Sequence, residues 1–422
     1  MIYALILFAI TYVLMLTFSK YRPYIALASA VVFILTGMLP FDQIIGAIDF
    51  NVLVMIAGTM GLVQLFIDSR MPARLADMIM EKVPNVQMAA VALALFAGVI
   101  SAFVDNVATV VMVAPIAMEI CKKLKTNPVP FIIGIAVSSN LQGAATLVGD
   151  TTAIMLGSYA NMSFLDFFWY KGRPGIFFAV ELGALASACI LAWLFRKEKA
   201  PIPQTGERTE VTDYVPTVLL VGMIALLITA SFIPNKPDIT NGLICVTLFV
   251  IGMVYTYLKT RQVSAFTGPI KSIDFETIGL LFGLFLVIGG ITNMGVVDAA
   301  ANLLAQMGGG NVFVIYTVIV WASVLFSAFI DNIPYVATML PVVTGLAGAL
   351  GIDPTLLYFG LLSGATLGGN CTPIGASANI TGIGILRRAG HEVKTSDFCR
   401  IGIPFTLAAI IPAYIYFWVL FR

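Results

Sequence analysis

Apolar runs of about 15–20 residues, close to the length a helix needs to cross a bilayer, follow one another along nearly the whole chain. The first covers 2–18 and stops at Lys20 and Arg22; Pro23 opens the second, which extends to residue 40. A third run occupies 50–67. The segment 69–84 mixes Arg70, Arg74, Asp77, Glu81 and Lys82 with apolar positions and is too short to cross, the pattern of a helix lying in the interface. Residues 87–121 are apolar on both sides of Asp105 and Asn106, and Lys122, Lys123 and Lys125 close the stretch. Each arm is about 15–17 residues, at or below spanning length, which predicts a re-entrant helical hairpin with the polar pair at its tip. The apolar run 129–158 is interrupted at Ser138-Ser139-Asn140, Gln142-Gly143, Thr146 and Gly149-Asp150-Thr151-Thr152. That predicts a broken helix, since non-helical backbone at membrane depth is tolerated where it is buried in protein or lines a wet cavity. A last run, 174–195, carries one acid, Glu181.

After a polar stretch at 196–214 the pattern starts again. Spans are predicted over 215–232, 239–258 and 275–293, followed by an amphipathic piece near 296–306 and a second hairpin over 311–349 with Asp331-Asn332 at its tip. A second broken helix covers 355–386, interrupted at Gly364, Gly368-Gly369-Asn370, Thr372-Pro373 and Gly375-Ala376-Ser377-Ala378-Asn379, and a final span covers 401–421. The recurrence is also visible residue by residue. Ser101-Ala102-Phe103-Val104-Asp105-Asn106 returns as Ser327-Ala328-Phe329-Ile330-Asp331-Asn332, a shift of 226 that also carries Pro115 onto Pro341, Thr146 onto Thr372 and Gly149 onto Gly375. Asp49-Phe50 matches Asp274-Phe275 at a shift of 225. One unit has been used twice: a first repeat over 1–195, a linker over 196–214 and a second repeat over 215–422.

Composition fixes the class. Of 422 residues, 59% are hydrophobic and 11% charged, against about 25% charged in a soluble domain, so the chain is expected to be an all-α integral membrane protein. The first run lacks a charged n-region and a small-residue cleavage site, and is expected to be a retained span and not a signal peptide. No basic stripe offers a nucleic-acid surface. The five cysteines show no ligand spacing and His391 is the single histidine. Zinc chemistry and a His-based triad are therefore not expected, and with no Walker A motif neither is a primary pump. No enzyme activity and no cofactor are expected.

Each half crosses an odd number of times whether its hairpin is re-entrant or spanning, so the two halves are expected to be inverted repeats. The basic residues agree: nineteen fall on one side, and Lys171, Arg173, Lys236 and Arg422 on the other. The positive-inside rule puts the first side in the cytoplasm and both termini outside, in a cell (inner or plasma) membrane. The first hairpin then opens from the cytoplasm and the second from outside.

The candidate site is built from the two tips and the two broken helices. Broken helices aim N–H groups and free carbonyls at one point, the former favouring anions and the latter coordinating cations. Asp105 and Asp331 can carry a proton or help bind Na⁺, together with Asn106 and Asn332. Asn140, Thr146, Thr151, Asn370, Thr372, Ser377 and Asn379 offer neutral oxygens and amides. Asp150 has no twin, since Ala376 stands at its counterpart. A buried acid in a membrane costs about 2.5–3.5 kcal/mol on the insertion scale, and so marks a functional position by default. Plainer roles stand beside these. Asp105, Asp331 and Asp150 all precede helical runs and can serve as N-caps, as can Asp49 and Asp274. The Gly364–Gly375 run can serve close helix packing, and Glu181 can pair with a basic side chain.

At these motifs the chain resembles the ion transporter superfamily, which includes arsenite permeases, NhaD-type sodium–proton antiporters, the melanosomal P protein and the citrate/dicarboxylate–sodium symporters. The two Ser-Ala-Phe-x-Asp-Asn motifs and Gly369-Asn370-Cys371-Thr372-Pro373-Ile374-Gly375-Ala376-Ser377-Ala378-Asn379 look most like the arsenite, antiporter and P-protein branch. The symporter branch carries Ser-Asn-Thr at the tips; Asp105-Asn106-Val107 and Asp331-Asn332-Ile333 stand there instead. The family often shows Gly-Asp-Pro-Pro-Asn in the first broken helix, where this chain has Gly149-Asp150-Thr151-Thr152-Ala153. The resemblance implies ion or substrate ligands at Asn106, Asn332 and the Thr, Ser and Asn of the broken helices. It also implies a homodimer with an elevator-type transport domain.

The expected function is secondary active transport in a lipid bilayer, coupled to H⁺ or Na⁺ and most simply an antiporter of Na⁺, arsenite or a small inorganic ion. A sodium-coupled carboxylate or anion symporter and a passive anion channel are the alternatives on the same scaffold.

Overall fold

Caps set where the helices begin, and they recur with the sequence repeat. Asp49 accepts from the Val52 amide at 3.0 Å and Asp274 from Thr277 at 3.0 Å. Asn85 accepts from Met88 and Asn311 from Phe313, both at 2.9 Å. Each cap satisfies amides that the first helical turn leaves without intrahelical partners.

The computed structural model describes residues 1–124, 126–202 and 208–422; Lys125 and the Gly206 portion of the linker fall outside the described residues. The first half runs α1 (Ile2–Thr17), α2 (Arg22–Leu35), α3 (Ile44–Ala47), α4 (Phe50–Asp68), α5 (Met71–Met80), α6 (Val86–Ser101), α7 (Asn106–Leu124), α8 (Val129–Gly143), α9 (Thr151–Tyr159) and α10 (Ile176–Leu194). The second repeats that order: α11 (Val215–Ala230), α12 (Thr240–Thr260), α13 (Ser264–Lys271), α14 (Phe275–Asn293), α15 (Val296–Met307), α16 (Val312–Ser327), α17 (Asn332–Leu350), α18 (Thr355–Gly368), α19 (Ser377–Arg388) and α20 (Thr395–Phe421). A two-stranded antiparallel ribbon, β1 (Trp169–Tyr170) with β2 (Arg173–Pro174), precedes α10. The expected all-α membrane fold is thus present, with hairpins α6–α7 and α16–α17 and broken helices α8–α9 and α18–α19 where the polar interruptions put them.

Among the described residues α4, α10, α12, α14, α17 and α20 are each long and apolar enough to cross a membrane. At 1.5 Å per residue α6 and α8 reach about 24 and 22 Å, short of the roughly 30 Å hydrocarbon core. Three boundaries differ from the sequence pattern. The first two runs form helices bent by 117° at a break around residue 18. The second run was expected to reach residue 40, but α2 stops at Leu35 and Gly37 takes a left-handed φ of 71°, which ends a helix without strain at a residue lacking Cβ. The last helix starts at Thr395 and not 401, because the Asp397 carboxylate turns back to the Lys394 amide at 3.4 Å and caps an extra turn.

Packing joins the halves by exchange: α4 packs on α12 and α2 on α14, the same pairing made twice. A second group packs α6 on α8 and α16 on α18, and α10 against α20 joins the halves there. Gly364 and Gly368 face α16, where an added Cβ would meet the Val320 and Val324 carbonyl oxygens at 2.6 and 2.5 Å, so these two glycines of the run do serve close packing. The described parts of the linker pack chiefly on the first half, with Asp213 pairing with Lys259 of α12 at 2.7 Å. The amides of Val86 and Gln87 donate to the Ala200 and Glu198 carbonyls at 3.0 and 2.8 Å. Arg208 grips both Glu81 carboxylate oxygens, and its guanidinium holds that carboxyl below its usual range.

Candidate functional site

Each hairpin tip is seated on the broken helix of its own half by the same two devices. The Thr146 hydroxyl donates to the Ala102 carbonyl, and the Thr372 hydroxyl to the Ala328 carbonyl. Beside them Gly149 and Gly375 lie against carbonyl oxygens: a Cβ on Gly149 would meet those of Gly143, Ser101 and Ala102 at 2.6–3.0 Å, and one on Gly375 those of Gly369, Ser327 and Ala328 at 2.6–2.9 Å. Backbone fixed at two helix ends cannot give way cheaply. Gly149→Ala is therefore expected to cost about 1–3 kcal/mol, the range for overpacking, and to lower the thermal midpoint of the detergent-solubilised protein. Gly222→Ala, with open space around it, should leave that midpoint unchanged.

Between the two halves the amides meet. Asn106 donates to Asn140 Oδ1 at 3.0 Å, and Asn140 donates to Asn370 Oδ1 at 2.8 Å and to Asn379 Oδ1 at 3.0 Å. Asn370 donates onward to the Val137 carbonyl at 3.0 Å, and Asn379 to the carbonyls of Gly369 and Thr372 at 2.9 and 3.0 Å. Asn140, Asn370 and Asn379 are wholly buried, where an unpaired amide is costly and a fully paired one fixes geometry. The network is shared between the halves and not duplicated within them. Asn140 has Thr366 at its repeat position, and Asn370 and Asn379 have Ala144 and Ala153.

The acids are arranged unequally. Asp105 caps its helix, accepting from the Val107 and Ala108 amides at 3.0 and 3.2 Å. Asp331 accepts from the Ile333 amide at 3.2 Å, so both tips do serve as caps. Asp331 also accepts from Ser377 at 3.3 Å and pairs with the Arg22 guanidinium at 3.2 Å. This corrects one expectation, that Arg22 stands as a charge ending the first span. The bend between α1 and α2 instead turns Arg22 inward onto the second tip. Asp150, at the N-cap position of α9, accepts from Thr152 at 2.8 Å and from Asn332 at 3.5 Å.

Asp105, Asn106, Asp150, Thr151, Asn332 and Ser377 line one cavity of about 210 Å³. Gln64, Asp274 and Thr277 line it as well. Three carboxylates therefore face it, and among the described residues no Lys, Arg or His side chain lines it. A separate open vestibule of about 1590 Å³ carries Asp42, Asp49, Asp166, Lys236 and Asp238 and reaches Met155 of α9 and Leu340 of α17.

Of the predicted site residues, these six share the cavity with one another. Asn140, Asn370 and Asn379 join it through Asn106, and Asp331 through Ser377. Thr146 and Thr372 are set apart, with hydroxyls committed to the hairpin carbonyls. Glu181 is half-buried on α10, outside the cavity lining. Sequence reasoning missed Asp274 as a cavity residue, having read it as a cap, which it also is. It missed Ser139, whose hydroxyl donates to Ser101 and to the Asn106 carbonyl, both at 3.0 Å. It also missed Tyr12, which donates to the Pro334 carbonyl at 2.6 Å and ties α1 to the second hairpin. The Ser138-Ser139-Asn140 interruption carried a signal for Ser139; nothing local marked Arg22 or Tyr12.

A family model described as citrate transporter matches residues 5–364 and 243–422. A "46 kDa membrane protein" of Mycobacterium leprae is 33% identical over 75% of this chain and 74% of its own. An uncharacterized transporter of Mycobacterium tuberculosis is 28% identical over 99% of this chain and 98% of its own. The human P protein is 26% identical over 74% of this chain and 46% of its own. In three dimensions the fold is similar to the crystal structure of the Alcanivorax borkumensis YdaH transporter, with a TM-score of 0.61 at 15% identity, covering 90% of this chain and 87% of that one. With a family model matched along nearly its whole length, the chain belongs to the citrate transporter family and is a membrane transporter.

Proposed function

We propose that the protein is a secondary active transporter coupled to a cation, Na⁺ or H⁺, that binds at Asp105 and Asp150, and that it works as an antiporter of Na⁺ or another small inorganic ion. The observation that carries this reading is the cavity lined by Asp105, Asp150 and Asp274 with no basic side chain. Away from bulk water, like charges a few ångströms apart repel strongly, and a cation or proton removes that cost. Asn106, Asn332 and Ser377 supply the neutral groups that complete the lining. The cavity on one side and the open vestibule on the other fit alternating access by an elevator motion, with the halves as inverted repeats, both termini outside and two copies forming a homodimer.

The test is reconstitution in liposomes with a trapped pH dye, adding Na⁺ outside under an imposed pH gradient. A Na⁺-dependent pH change is expected. No response to Na⁺, with or without other ions, would remove this reading.

A second reading, carboxylate symport, is favoured by the family's description as citrate transporter. The acidic lining then requires that a carboxylate enter together with cations that offset the repulsion. Uptake of labelled citrate that needs an accompanying cation, with no cation exchange in its absence, would select it over the antiporter.

A further inference from the structure

The two hairpin tips carry the same Asp-Asn pair but opposite electrostatic surroundings. At the second tip every strong interaction of the acid is provided for. Asp331 Oδ1 accepts from the Ile333 amide, while Oδ2 receives Arg22 Nη1 at 3.2 Å and the Ser377 hydroxyl at 3.3 Å. Arg22 stands on the first turn of α2, and Tyr12 of the preceding helix holds the same hairpin through the Pro334 carbonyl. The pair is sheltered, with 21% of the Arg22 side chain and 11% of the Asp331 side chain exposed. At the first tip Asp105 has its two amides, and among the described residues no Lys, Arg or His pairs with it. The basic residue in the corresponding α11–α12 connection, Lys236, donates instead to Asn241 at 3.3 Å. Asp150, which has Ala376 at its repeat position, adds a second acid to the first side. One half-site thus holds two carboxylates with no cation, and the other holds one carboxylate with its cation built in.

We infer that Arg22 is a resident counter-cation of the second half-site. It takes at Asp331 the place of a mobile ion, so the transporter takes its coupling cation on the Asp105–Asp150 side alone. This rests on the cation-coupled reading above and sharpens it from a kind of ion to a number of sites. Arg22 acts through Asp331 and sets stoichiometry.

The experiment is cation-dependent flux in liposomes holding the full-length protein, with Na⁺ varied at fixed pH and pH varied at fixed Na⁺. Wild type should rise with a Hill slope of about one, since the slope cannot exceed the number of interacting sites. Arg22→Gln frees Asp331, and its slope should rise to about two. The Arg22→Gln, Asp331→Asn double variant leaves no charge unpaired, and its slope should return to about one. A merely structural Arg22 would lower flux in the single variant with the slope unchanged, and that result overturns the inference. So does a wild-type slope of two, or a double variant whose slope stays at about two. If the single variant does not fold, the double variant and wild type decide. Failure of the underlying reading looks different: wild-type flux would then show no cation dependence, and Asp105→Asn would leave it unchanged.

Discussion

Asp105→Asn is expected to reduce coupled flux by roughly ten- to a hundredfold, the equivalent of losing one charge-assisted interaction worth about 1.5–3 kcal/mol. The fold should survive, because asparagine keeps the shape and the carbonyl oxygen that accepts from Val107 and Ala108, and asparagine is as good an N-cap as aspartate. What disappears is the negative charge facing the cavity, and with it the means of holding a cation or a proton there. Liposome flux beside a thermal melt separates the two effects: lost flux with an unchanged midpoint is the expected outcome. Undiminished flux would reduce Asp105 to its capping role. Asp331→Asn is a poorer probe of the same question, because it strands Arg22 in a sheltered site, where an unpaired charge is costly in itself.

Asn140→Ala is expected to have the largest effect on stability. It removes the residue that joins Asn106 to Asn370 and Asn379. Three buried amide groups then lose a partner at once, each costing about 1–3 kcal/mol, for a total of roughly 3–9 kcal/mol. The first and second broken helices are held in register across the halves by these bonds, so transport should fall with the melting midpoint. Ser363→Ala is the matching control: that hydroxyl is buried with no hydrogen-bond partner, and its removal should be neutral or slightly stabilising. An Asn140→Ala protein that melts like wild type would mean that water fills the gap and satisfies the network.

The cavity also explains why the two copies of the repeat have diverged where they have. Positions that hold the tips down are the same in both: Thr146 and Thr372 on hairpin carbonyls, Gly149 and Gly375 against backbone oxygens. Asn106 and Asn332 both face the cavity unchanged, but other positions that face it or bridge the halves differ: Asp150 against Ala376, Asn140 against Thr366, Asn379 against Ala153. Seating a hairpin is a local problem with one steric solution, which each half needs for itself. The polar centre is shared, so one amide from either side is enough and a second would lack a partner.

That division marks how far the sequence reached. Helices, hairpins and breaks follow from signals within a few residues: apolar runs of a given length, Asp or Asn at a helix start, glycine and threonine where the chain must turn beside a carbonyl. The repeat, the class of protein and most of the candidate residues that the structure brings to the cavity follow from the same local features, because burying an aspartate in an apolar run is costly. Tertiary structure alone decided which charges meet. Arg22 lies 309 residues from Asp331, and Asp274 caps its own helix while facing an acid from the other half. Neither contact leaves a trace in local pattern, since a basic residue after an apolar run reads as a membrane boundary wherever it ends up. The exchange of α2 and α4 between the halves brings those residues together, and so decides that the acid at one tip is paired with an arginine while the acid at the other has no basic partner among the described residues.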